Sequence, residues 1–368
     1  MERWEGCLAK TREALAAHGY DAALTFRIEH VRYVCPYQPP YSMAASHRTA
    51  ALITQDQLLI LVPQIDRIGL TKLAAGRFSV DQLPINQDAW GPPLQVALDT
   101  LAPNGRIAVD GAPARLMPLI QGDFTHDSRP FEDARRIKTR EEVAIMRRGL
   151  DIVGVGIAAA WDILRPGATE LELAATAEYA ARCAGAEALS FSTIVGTNGE
   201  ILRRRFATEQ PVCEGDFVFL DLGIVYQGYV AEFSRSTVVG DTVTPEQRAI
   251  HRTAYQANRA MMAAIRPGVL GSELDRTART VILDSPLAPY CYRHVTGSGI
   301  GLMLQERPIV SDPFDGGVDE VIEAGMVLNV EPGVYHPEIG GLRAEDIVLV
   351  TDDGYELLTR LPYDERLI

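Results

Sequence analysis

The chain has 368 residues, of which 47% are hydrophobic and 23% are charged, and its formal net charge at pH 7 is −14. These proportions are ordinary for a globular protein, and the length suffices for one large or two medium-sized domains. The negative net charge argues against general binding to nucleic acids or anionic membranes, because both partners are themselves negatively charged.

The cysteine content and the first residues of the chain bear on the cellular compartment. Scattered cysteines without a Cys-x-x-Cys pair favour buried thiols in a reducing environment over a disulfide framework. The five cysteines are Cys7, Cys35, Cys183, Cys213 and Cys291. The first residues lack the apolar run of a signal peptide, and no apolar run reaches the roughly 18 residues that a membrane-spanning helix needs. We therefore expect a cytoplasmic protein.

Helix and strand patterns alternate in the first third of the chain, which predicts an α/β domain. A helical pattern over residues 2–18 ends at Gly19. Apolar runs that are typical of strands follow at residues 21–26, 50–54, 57–63 and 106–110. A boundary near residues 130–138 is expected to divide the chain into domains of residues 1–132 and 138–368.

Two similar helix pairs are predicted after this boundary. The first helix starts at Thr139, which has the spacing of a capping box with Glu142, and it extends to about residue 164. Arg-Pro-Gly ends this helix at residues 165–167, and the same three residues recur at 266–268. In both places a second helix begins near a Glu-Leu pair and leads into strands. The spacing indicates an internal duplication, although Pro-Gly is also a common helix stop.

The chain is organised around two predicted strands at residues 216–239, which carry two acids. The first strand is apolar apart from Asp221, and the returning strand contains Glu232. A turn at residues 225–228 would place the two carboxylates directly opposite each other. Like charges that lie about 5 Å apart across two strands repel, so the pair requires a cation, a proton or a solvated edge of the sheet.

Two further acids interrupt apolar segments in the second half. Glu331 precedes a Pro-Gly turn, and Glu345 follows Arg343 at the spacing of two that places both on one face of a strand. A charged side chain in such a run is rarely buried unless it is paired or binds a metal. Each acid alone is more typical of a solvated strand edge. Four acids at matching places in two halves favour a shared site.

Five motifs now carry a resemblance to a known family. They are Asp-x-Gly at residues 221–223, an acid eleven residues after the first, Gly-Ile-Gly-Leu at 299–302, Glu-Pro-Gly-Val-Tyr at 331–335 and Arg-x-Glu-Asp at 343–346. In this order they resemble the pita-bread hydrolases of peptidase family M24, which include methionine aminopeptidase, aminopeptidase P, prolidase and creatinase. The resemblance implies a small α/β creatinase-type N-terminal domain and a C-terminal pita-bread domain with an internal pseudo-twofold repeat.

The metal-dependent members of this family hold two divalent ions with five ligands, namely Asp, Asp, His, Glu and Glu. By resemblance, Asp221, Glu331 and Glu345 are retained ligands, and Glu232 is one methylene longer than the second. Ser298 stands where the ligand histidine is expected. A neutral hydroxyl is a poor ligand for Mn, Co or Zn compared with imidazole. The resemblance therefore does not imply an ordinary dinuclear metallopeptidase.

Two other histidines of the family are also replaced, and one is retained. Gln305 stands seven residues after the lost ligand, and Arg204 is the nearest match to a histidine on the substrate side. Arg204 belongs to a run of three arginines, which is as typical of solvated surface as of a clamp for an anionic substrate group. His294 is retained where many members bind substrate or transfer a proton, and its alternative is a structural role.

The four acids can be neutralised in three ways. One is a single divalent ion, Mn, Zn or Fe, held by the carboxylates of Asp221, Glu232, Glu331 and Glu345. A second uses Arg343, with Arg204 or Arg205, as internal counter-ions. A third lets a cationic substrate group take the metal position, as the resemblance to the metal-free creatinase suggests. The expected cofactor is therefore either none or one divalent metal ion.

The main functional expectation is a creatinase-like hydrolase. It would cleave a C–N bond of a small, polar, zwitterionic substrate by acid–base catalysis, with an absent or reduced metal requirement. The alternatives are a metal-dependent Xaa-Pro aminopeptidase or prolidase, and a non-hydrolytic descendant such as a lyase or a binding protein. The expected catalytic residues are Asp221, Glu232, His294, Glu331 and Glu345. The expected substrate-binding residues are Arg204, Ser298, Gln305, Tyr335 and Arg343.

The resemblance also implies a homodimer that acts on a small-molecule substrate. Members with such an N-terminal domain are usually dimers, in which the small domain of one subunit approaches the site of the other. Residues 32–43 contain three prolines and three tyrosines, and they form either a binding loop or a packed surface loop. In a dimer, residues 33–41 of this loop, or Arg48, would contact the substrate across the interface.

Overall fold

A computed structural model describes residues 2–37, 49–84, 86–312 and 318–368. The chain divides into two compact units, Met1–Arg135 and Arg136–Ile368. Both units mix helices and strands, which confirms the predicted α/β fold class. The expected substrate loop is described only as far as residue 37, and Arg48 lies outside the described residues. In the described ranges, no helix combines the length and the apolar character needed to cross a membrane.

The N-terminal unit is built on one mixed sheet. Its strands are β1 Ala22–Thr25, β2 Ala50–Thr54, β3 Leu58–Val62, β4 Ser79–Gln82, β5 Arg106–Asp110 and β6 Asp123–His126. Its helices are α1 Arg3–Ala17, α2 Ile28–Val34, α3 Gln64–Ala74, α4 Gly91–Leu101 and α5 Arg129–Arg136. The strand order is β4-β3-β2-β1-β5-β6. The β1–β2 and β2–β3 pairs are antiparallel, and the other pairs are parallel.

The central strands of this unit are buried on both faces. Every residue of β1, β2 and β3 is buried, because helices cover both sides of a sheet with parallel connections. Such strands have continuous apolar sequences, and this explains why the predictions for residues 21–26, 50–54 and 57–63 agree with the structure. The helix predicted over residues 2–18 corresponds to α1.

The C-terminal unit contains two helix pairs. They are α6 Arg140–Asp162 with α7 Glu170–Ala184, and α8 Pro245–Ala264 with α9 Gly271–Leu283. Capping boxes begin three of them, with Thr139, Thr169 and Thr244 as the capping residues. Each box satisfies backbone N–H groups that the first helical turn leaves unpaired. Both Arg-Pro-Gly segments lie between the helices of a pair, so the predicted order of helix, helix and strands occurs twice.

The strands of the C-terminal unit form two main sheets and a hairpin. They are β7 Ala188–Leu189, β8 Ile194–Thr197, β9 Phe217–Tyr226, β10 Tyr229–Val238, β11 Gly297–Gly299, β12 Glu306–Val310, β13 Val327–Val330, β14 Gly333–His336, β15 Gly340–Arg343, β16 Asp346–Val350 and β17 Tyr355–Leu357. β9 pairs with β7, β8 and β10, and the second sheet has the order β12-β11-β13-β16-β17. β14 and β15 form the hairpin. One apolar core joins both halves, including Phe219, Met261 and Val330.

The β9–β10 hairpin differs from the predicted register by two residues. Its central turn residues are Gln227 and Gly228, with φ values of 47° and 80°. Asp221 therefore pairs with Ser234, and Glu232 pairs with Gly223. The predicted turn would place Tyr226 at a position that requires positive φ, which glycine tolerates and a bulky aromatic residue does not. The two acids remain on one face, but they are diagonal neighbours instead of direct partners.

Candidate active site

Two of the four expected acids lie on the β9–β10 hairpin. Asp221 is 3% exposed and Glu232 is 6% exposed. Nearly all residues of both strands are buried, so packing on both faces determines where these side chains point. The two carboxylates are therefore held inside the unit and cannot turn to solvent, which makes their partners decisive.

The other two acids leave neighbouring strands at the same end. Val330 pairs with Asp346 where β13 meets β16, so Glu331 and Glu345, one residue beyond this pair, are adjacent. The single strand predicted to carry Arg343 and Glu345 is wrong, because β15 ends at Arg343 and the chain enters another sheet at Asp346. Both side chains nevertheless reach the same place.

Arg343 is a counter-ion within the acid cluster, by which we mean Asp221, Glu232, Glu331 and Glu345. Its guanidinium forms an ion pair with the carboxylate of Asp221. The Arg343 nitrogens also lie 3.8 Å from Oε2 of Glu331 and 3.9 Å from Oε2 of Glu345. The guanidinium stands 5.3 Å from the ring centre of Phe219. One guanidinium thus lies within 4 Å of three of the four carboxylates.

Asn329 is a member of the site that the sequence interpretation missed. Its Nδ2 atom donates to Oε1 of Glu232 at 3.1 Å and to Oε1 of Glu345 at 2.8 Å. Asn329 is buried, with 2% exposure. The spacing of two between Asn329 and Glu331 predicts that both lie on one side of the extended chain where β13 ends, and this was the available signal. A polar residue at that position in an apolar strand indicates a buried partner.

Burial and mutual repulsion raise the pKa of three of the acids. Burial raises the pKa of Asp221 to about 7, against the opposing effect of Arg343. Burial and repulsion by Glu345 raise the pKa of Glu331 to about 8. The same two causes raise the pKa of Glu232 well above its ordinary value. The cluster therefore retains protons near neutral pH unless a cation compensates its charge.

His294 and Tyr335 form a second polar group. His294 Nε2 lies 2.8 Å from the Tyr335 hydroxyl, and Nδ1 lies 2.7 Å from the carbonyl oxygen of Val295. A carbonyl accepts only, so Nδ1 carries the proton of the neutral ring and Nε2 accepts from the Tyr335 hydroxyl. Burial lowers the pKa of His294 to about 4, which keeps the imidazole neutral at physiological pH.

Two cavities give access to these groups, and they share Ile194, Arg205 and Arg343 in their walls. The first, the acid cavity, has a volume of about 310 Å³ and is lined by all four members of the acid cluster. The second, the aromatic cavity, has a volume of about 420 Å³. Its wall includes Phe219, Tyr290, Tyr292, Arg293, His294 and Tyr335. Cavities of this size accommodate small molecules.

Arg204 does not have the predicted role in substrate binding. Its guanidinium is paired with the buried carboxylate of Glu170, with 2.7 Å between Nη1 and Oε2. If Arg204 turned towards either cavity, Glu170 would lose its charged partner, which is costly for a buried acid. The neighbouring Arg205 lines both cavities instead. The run of three arginines therefore contains one structural residue and one residue in the cavity wall.

Ser298 and Gln305 differ in their access to the cavities. Gln305 lines the acid cavity. Ser298 is 1% exposed in β11, between β12 and β13, and it pairs with Asn329. Among the described residues that line the two cavities, Ser298 does not occur. The short side chain is buried away from both cavities, so the expected direct contact of Ser298 with substrate is not supported.

The four carboxylates differ from the two-metal site of the metal-dependent members of the family. No imidazole accompanies the four carboxylates, since Ser298 stands at the position of the expected histidine. The oxygens of Glu232 and Glu345 accept from Asn329, and Asp221 is paired with Arg343. Within the described ranges, no group of three or more His, Cys, Asp or Glu side chains is arranged to hold a metal ion. The carboxylate oxygens instead accept hydrogen bonds and ion pairs from N–H groups of the protein.

Two family models match the chain, each in one of its units. The model of metallopeptidase family M24 matches residues 144–352, which are more than half of the 368 residues. The model of the creatinase/prolidase N-terminal domain matches residues 8–122. These matches agree with the predicted sequence of a creatinase-type domain followed by a pita-bread domain.

Known proteins give the same assignment. The Xaa-Pro dipeptidase of Pyrococcus furiosus is 35% identical over 231 residues, 62% of this chain and 65% of that protein, so the match spans less than two thirds of the relative. An uncharacterized peptidase of Bacillus subtilis, YqhT, is 32% identical over 96% of this chain and 98% of its own. The structure of the Xaa-Pro dipeptidase from Bacillus anthracis has a TM-score of 0.86 at 26% identity, covering 98% of this chain and 99% of that chain. The predicted pita-bread fold is thereby confirmed.

Proposed function

The chain belongs to metallopeptidase family M24, and from this membership we propose that it hydrolyses the peptide bond of small Xaa-Pro dipeptides. The substrate class comes from relatives that are named Xaa-Pro dipeptidases. Membership of the family supports a hydrolase acting on C–N bonds. The dipeptide is the finer part of the proposal, and the experiment below tests it.

The observation that carries the proposal is the acid cluster, which lines a cavity of about 310 Å³ next to the aromatic cavity. In this proposal Glu331 accepts the proton of the attacking water, because a base is most effective when its pKa lies near the working pH. Glu331 then passes this proton to the nitrogen of the leaving proline as the C–N bond breaks. His294 and Tyr335 line the adjoining cavity and position the substrate there. Arg205 in the shared wall holds the carboxylate at the end of the substrate.

This proposal replaces the creatinase-like hydrolase as the leading candidate. Several relatives of the chain are named dipeptidases or peptidases. They support the Xaa-Pro alternative better than the creatinase-like expectation. Both candidates share the cleavage of a C–N bond, so the difference between them concerns the substrate and the means by which the acid cluster is neutralised.

The test is proline release by the whole purified chain. Ala-Pro, Gly-Pro and Ala-Ala are incubated with the protein in EDTA and, separately, in MnCl₂, and free amino acids are measured by chromatography. Faster release from the two proline dipeptides than from Ala-Ala supports the proposal. Absence of proline release in both buffers, from protein whose circular dichroism shows it to be folded, contradicts it.

A second candidate is metal-independent cleavage of a C–N bond in a small guanidino acid. Asn329 and Arg343 favour it, because they direct N–H donors at the carboxylates that would otherwise bind metal. Creatine is a suitable probe for the same assay, with urea as the measured product. Urea release without proline release would assign the protein to this candidate.

Three further expectations are part of the proposal. They are a homodimer, a cytoplasmic location and a cofactor that is either absent or a single divalent ion. Light scattering after size-exclusion chromatography measures the mass of the protein in solution and so distinguishes a dimer from a monomer of 40.3 kDa. Elemental analysis of protein purified without chelator measures the bound metal.

A further inference from the structure

Asn329 lies between two carboxylates of the acid cluster. Its amide nitrogen donates to Glu232 at 3.1 Å and to Glu345 at 2.8 Å, so both of its N–H groups are used. A metal ion bound by the same oxygens would approach each of them to about 2.0–2.2 Å. An amide nitrogen that donates two hydrogen bonds is no metal ligand. Asn329 therefore competes with a metal ion for these two oxygens.

Arg343 supplies part of the positive charge that the cluster needs. It is paired with Asp221 and lies within 4 Å of Glu331 and Glu345, at 3.8 Å and 3.9 Å. A guanidinium stays positively charged over the whole pH range in which proteins are folded. Arg343 is also the first residue of the Arg-x-Glu-Asp motif that the chain shares with metal-dependent members of the family, so its charge alone does not exclude a metal ion.

The second difference from a metal site is Ser298. It pairs with Asn329 across the β11–β13 ladder, and directly paired residues of antiparallel strands point to the same face about 5 Å apart. An imidazole at position 298 would thus point towards the oxygens that Asn329 now contacts. Serine and asparagine occupy two facing positions that together decide whether the cluster can coordinate a metal ion.

Two oxygens of the cluster accept no hydrogen bond from any described residue, although Glu345 Oε2 lies 3.9 Å from Nε of Arg343. Asp221 Oδ1 and Glu345 Oε2 make no hydrogen bond within the part of the chain that the structure describes. Asp221 is 3% exposed and Glu345 is 1% exposed, and both line the acid cavity. Buried polar atoms are almost always paired in folded proteins. Unpaired acceptors in a cavity wall indicate that a donor belongs in the cavity.

We infer that Asn329, together with Ser298 in place of an imidazole, keeps metal ions out of this site, and that the oxygens of Asp221 and Glu345 that accept no hydrogen bond from the described part of the chain bind the ammonium group of the substrate. An ammonium has three N–H donors and one positive charge, which match the unpaired acceptors and the excess of carboxylates over guanidinium. In the proposed substrate this group is the free N-terminus of the dipeptide. That identification rests on the proposed function, whereas the exclusion of metal does not.

The first experiment measures metal binding in the absence of substrate. Calorimetric titration of MnCl₂ into chelator-treated protein is expected to show no saturable binding. The double variant S298H/N329A supplies an imidazole and removes the competing amide, and it is expected to bind about one Mn²⁺ per chain. The matched control S298H/N329A/E345Q lacks a cluster carboxylate and is expected to bind at least about tenfold more weakly.

Two results would overturn the exclusion of metal. One is saturable binding of Mn²⁺ by the unaltered protein at a stoichiometry of one or more. The other is a folded double variant that gains no affinity for Mn²⁺, because Ser298 and Asn329 would then not be the residues that prevent metal binding. Circular dichroism and thermal unfolding establish the folded state, and the single variant S298H replaces the double variant if the latter does not fold.

The second experiment tests the ammonium subsite in EDTA. The probe is the ketomethylene analogue of Ala-Pro, which has no cleavable amide, and its control is the same compound with an acetylated N-terminus. The free ammonium form is expected to bind at least about 30-fold more tightly, as for a buried charged pair. The variant Glu345→Gln is expected to remove most of this difference. Equal affinities, or binding that requires added Mn²⁺, contradict the inference.

Failure of the inference and failure of the proposed function give different results. Proline release that occurs only with bound Mn²⁺ supports the dipeptidase and overturns the inference. Preference for the free ammonium form in EDTA, combined with no proline release from any dipeptide, supports the inference and overturns the proposed function. The two experiments therefore separate what the site binds from what the protein cleaves.

Discussion

Two sets of buried carboxylates in the C-terminal unit differ in how completely they are paired. Glu170 is fully buried and accepts six hydrogen bonds, from Arg204, Thr197 and Thr208. The acid cluster is equally buried, yet Asp221 Oδ1 and Glu345 Oε2 have no hydrogen-bond partner among the described residues. A saturated buried acid stabilises a fold, whereas an unsaturated one in a cavity wall indicates a ligand.

The two sets also differ in where their partners come from. The donors to Glu170 belong to residues 197–208, a short stretch of chain next to α7. The acid cluster brings together strands from both halves of the unit. Consecutive arginines illustrate the difference, because Arg204 pairs with Glu170 while Arg205 lines both cavities. The two arginines are adjacent in the sequence, and only their surroundings distinguish the structural ion pair of Arg204 from the place of Arg205 in the cavity walls.

The largest effect is expected when the acid cluster itself is altered. In Glu331→Gln the proposed base is lost, and kcat/KM for Ala-Pro should fall by about 10² to 10⁴. The temperature of unfolding should not fall, because the amide removes one repelling charge from a crowded site. Steady-state proline release and thermal unfolding measure the two quantities. Unchanged activity would exclude Glu331 as the base.

The opposite pattern is expected at the saturated acid. Glu170→Gln leaves Arg204 without its buried charged partner and should lower the free energy of unfolding by about 3 kcal/mol. Urea unfolding followed by circular dichroism measures the loss. The matched control is Asp151→Asn, since the Asp151–Arg360 pair lies at the surface, with the side chain of Arg360 70% exposed. This control should change stability by less than about 0.5 kcal/mol. Equal losses in both variants would remove the distinction between the two sets.

The consecutive arginines allow a smaller, sharper comparison. Arg205→Ala removes a guanidinium from the wall of both cavities and should raise KM for Ala-Pro about tenfold, with little change in stability. Arg203→Ala, at an exposed side chain, should leave both KM and stability unchanged. Steady-state kinetics of Ala-Pro hydrolysis at equal protein concentrations give the KM of each variant. A similar KM for the two variants would show that the carboxylate of the substrate binds elsewhere.

The smallest effect concerns a buried polar group outside the site. His251 is fully buried, and burial lowers its pKa to about 4. The unfolded histidine has a pKa near 6.5, so the unfolded state binds a proton more readily and the free energy of unfolding falls as the pH drops from about 6.5 towards 4. His251→Leu should remove about 0.7 kcal/mol of this fall between pH 7 and pH 6.

The measurement is urea unfolding of the unaltered protein and of His251→Leu at both pH values. Parallel pH dependence in the two proteins would mean that His251 does not contribute. A matched control is Asn258→Leu, in the same helix α8, where the removed side chain is paired with the carbonyl oxygen of Ala344 at 2.8 Å. This variant should lose stability at both pH values without a change in the pH dependence.

The sequence predicted the site wherever the relevant information is local. Asp221, Glu331 and Glu345 stand out because a charged residue in an apolar run needs an explanation. Gln305 was also predicted as a site residue, and it lines the acid cavity. The predicted hairpin register is wrong by two residues because the predicted turn is displaced by one residue. The sequence does not distinguish Arg204 from Arg205, because the side-chain directions of adjacent residues in a loop follow no fixed period. The sequence does not single out Asn329, because an uncharged amide in a strand does not by itself require a charged partner.

What the sequence alone determined is the composition of the site, and what the tertiary structure decided is its pairing. The capping box at Thr139 and the strands that carry the acids follow from spacing over a few residues, which local hydrogen bonds and burial enforce. The partners in the cluster are distant along the chain: Arg343 is 122 residues from Asp221, and Asn329 is 97 residues from Glu232. No local sequence pattern predicts which carboxylate forms a hydrogen bond with the amide or an ion pair with the guanidinium. Only the packing of the two sheets determines which oxygens are satisfied and which remain for a ligand.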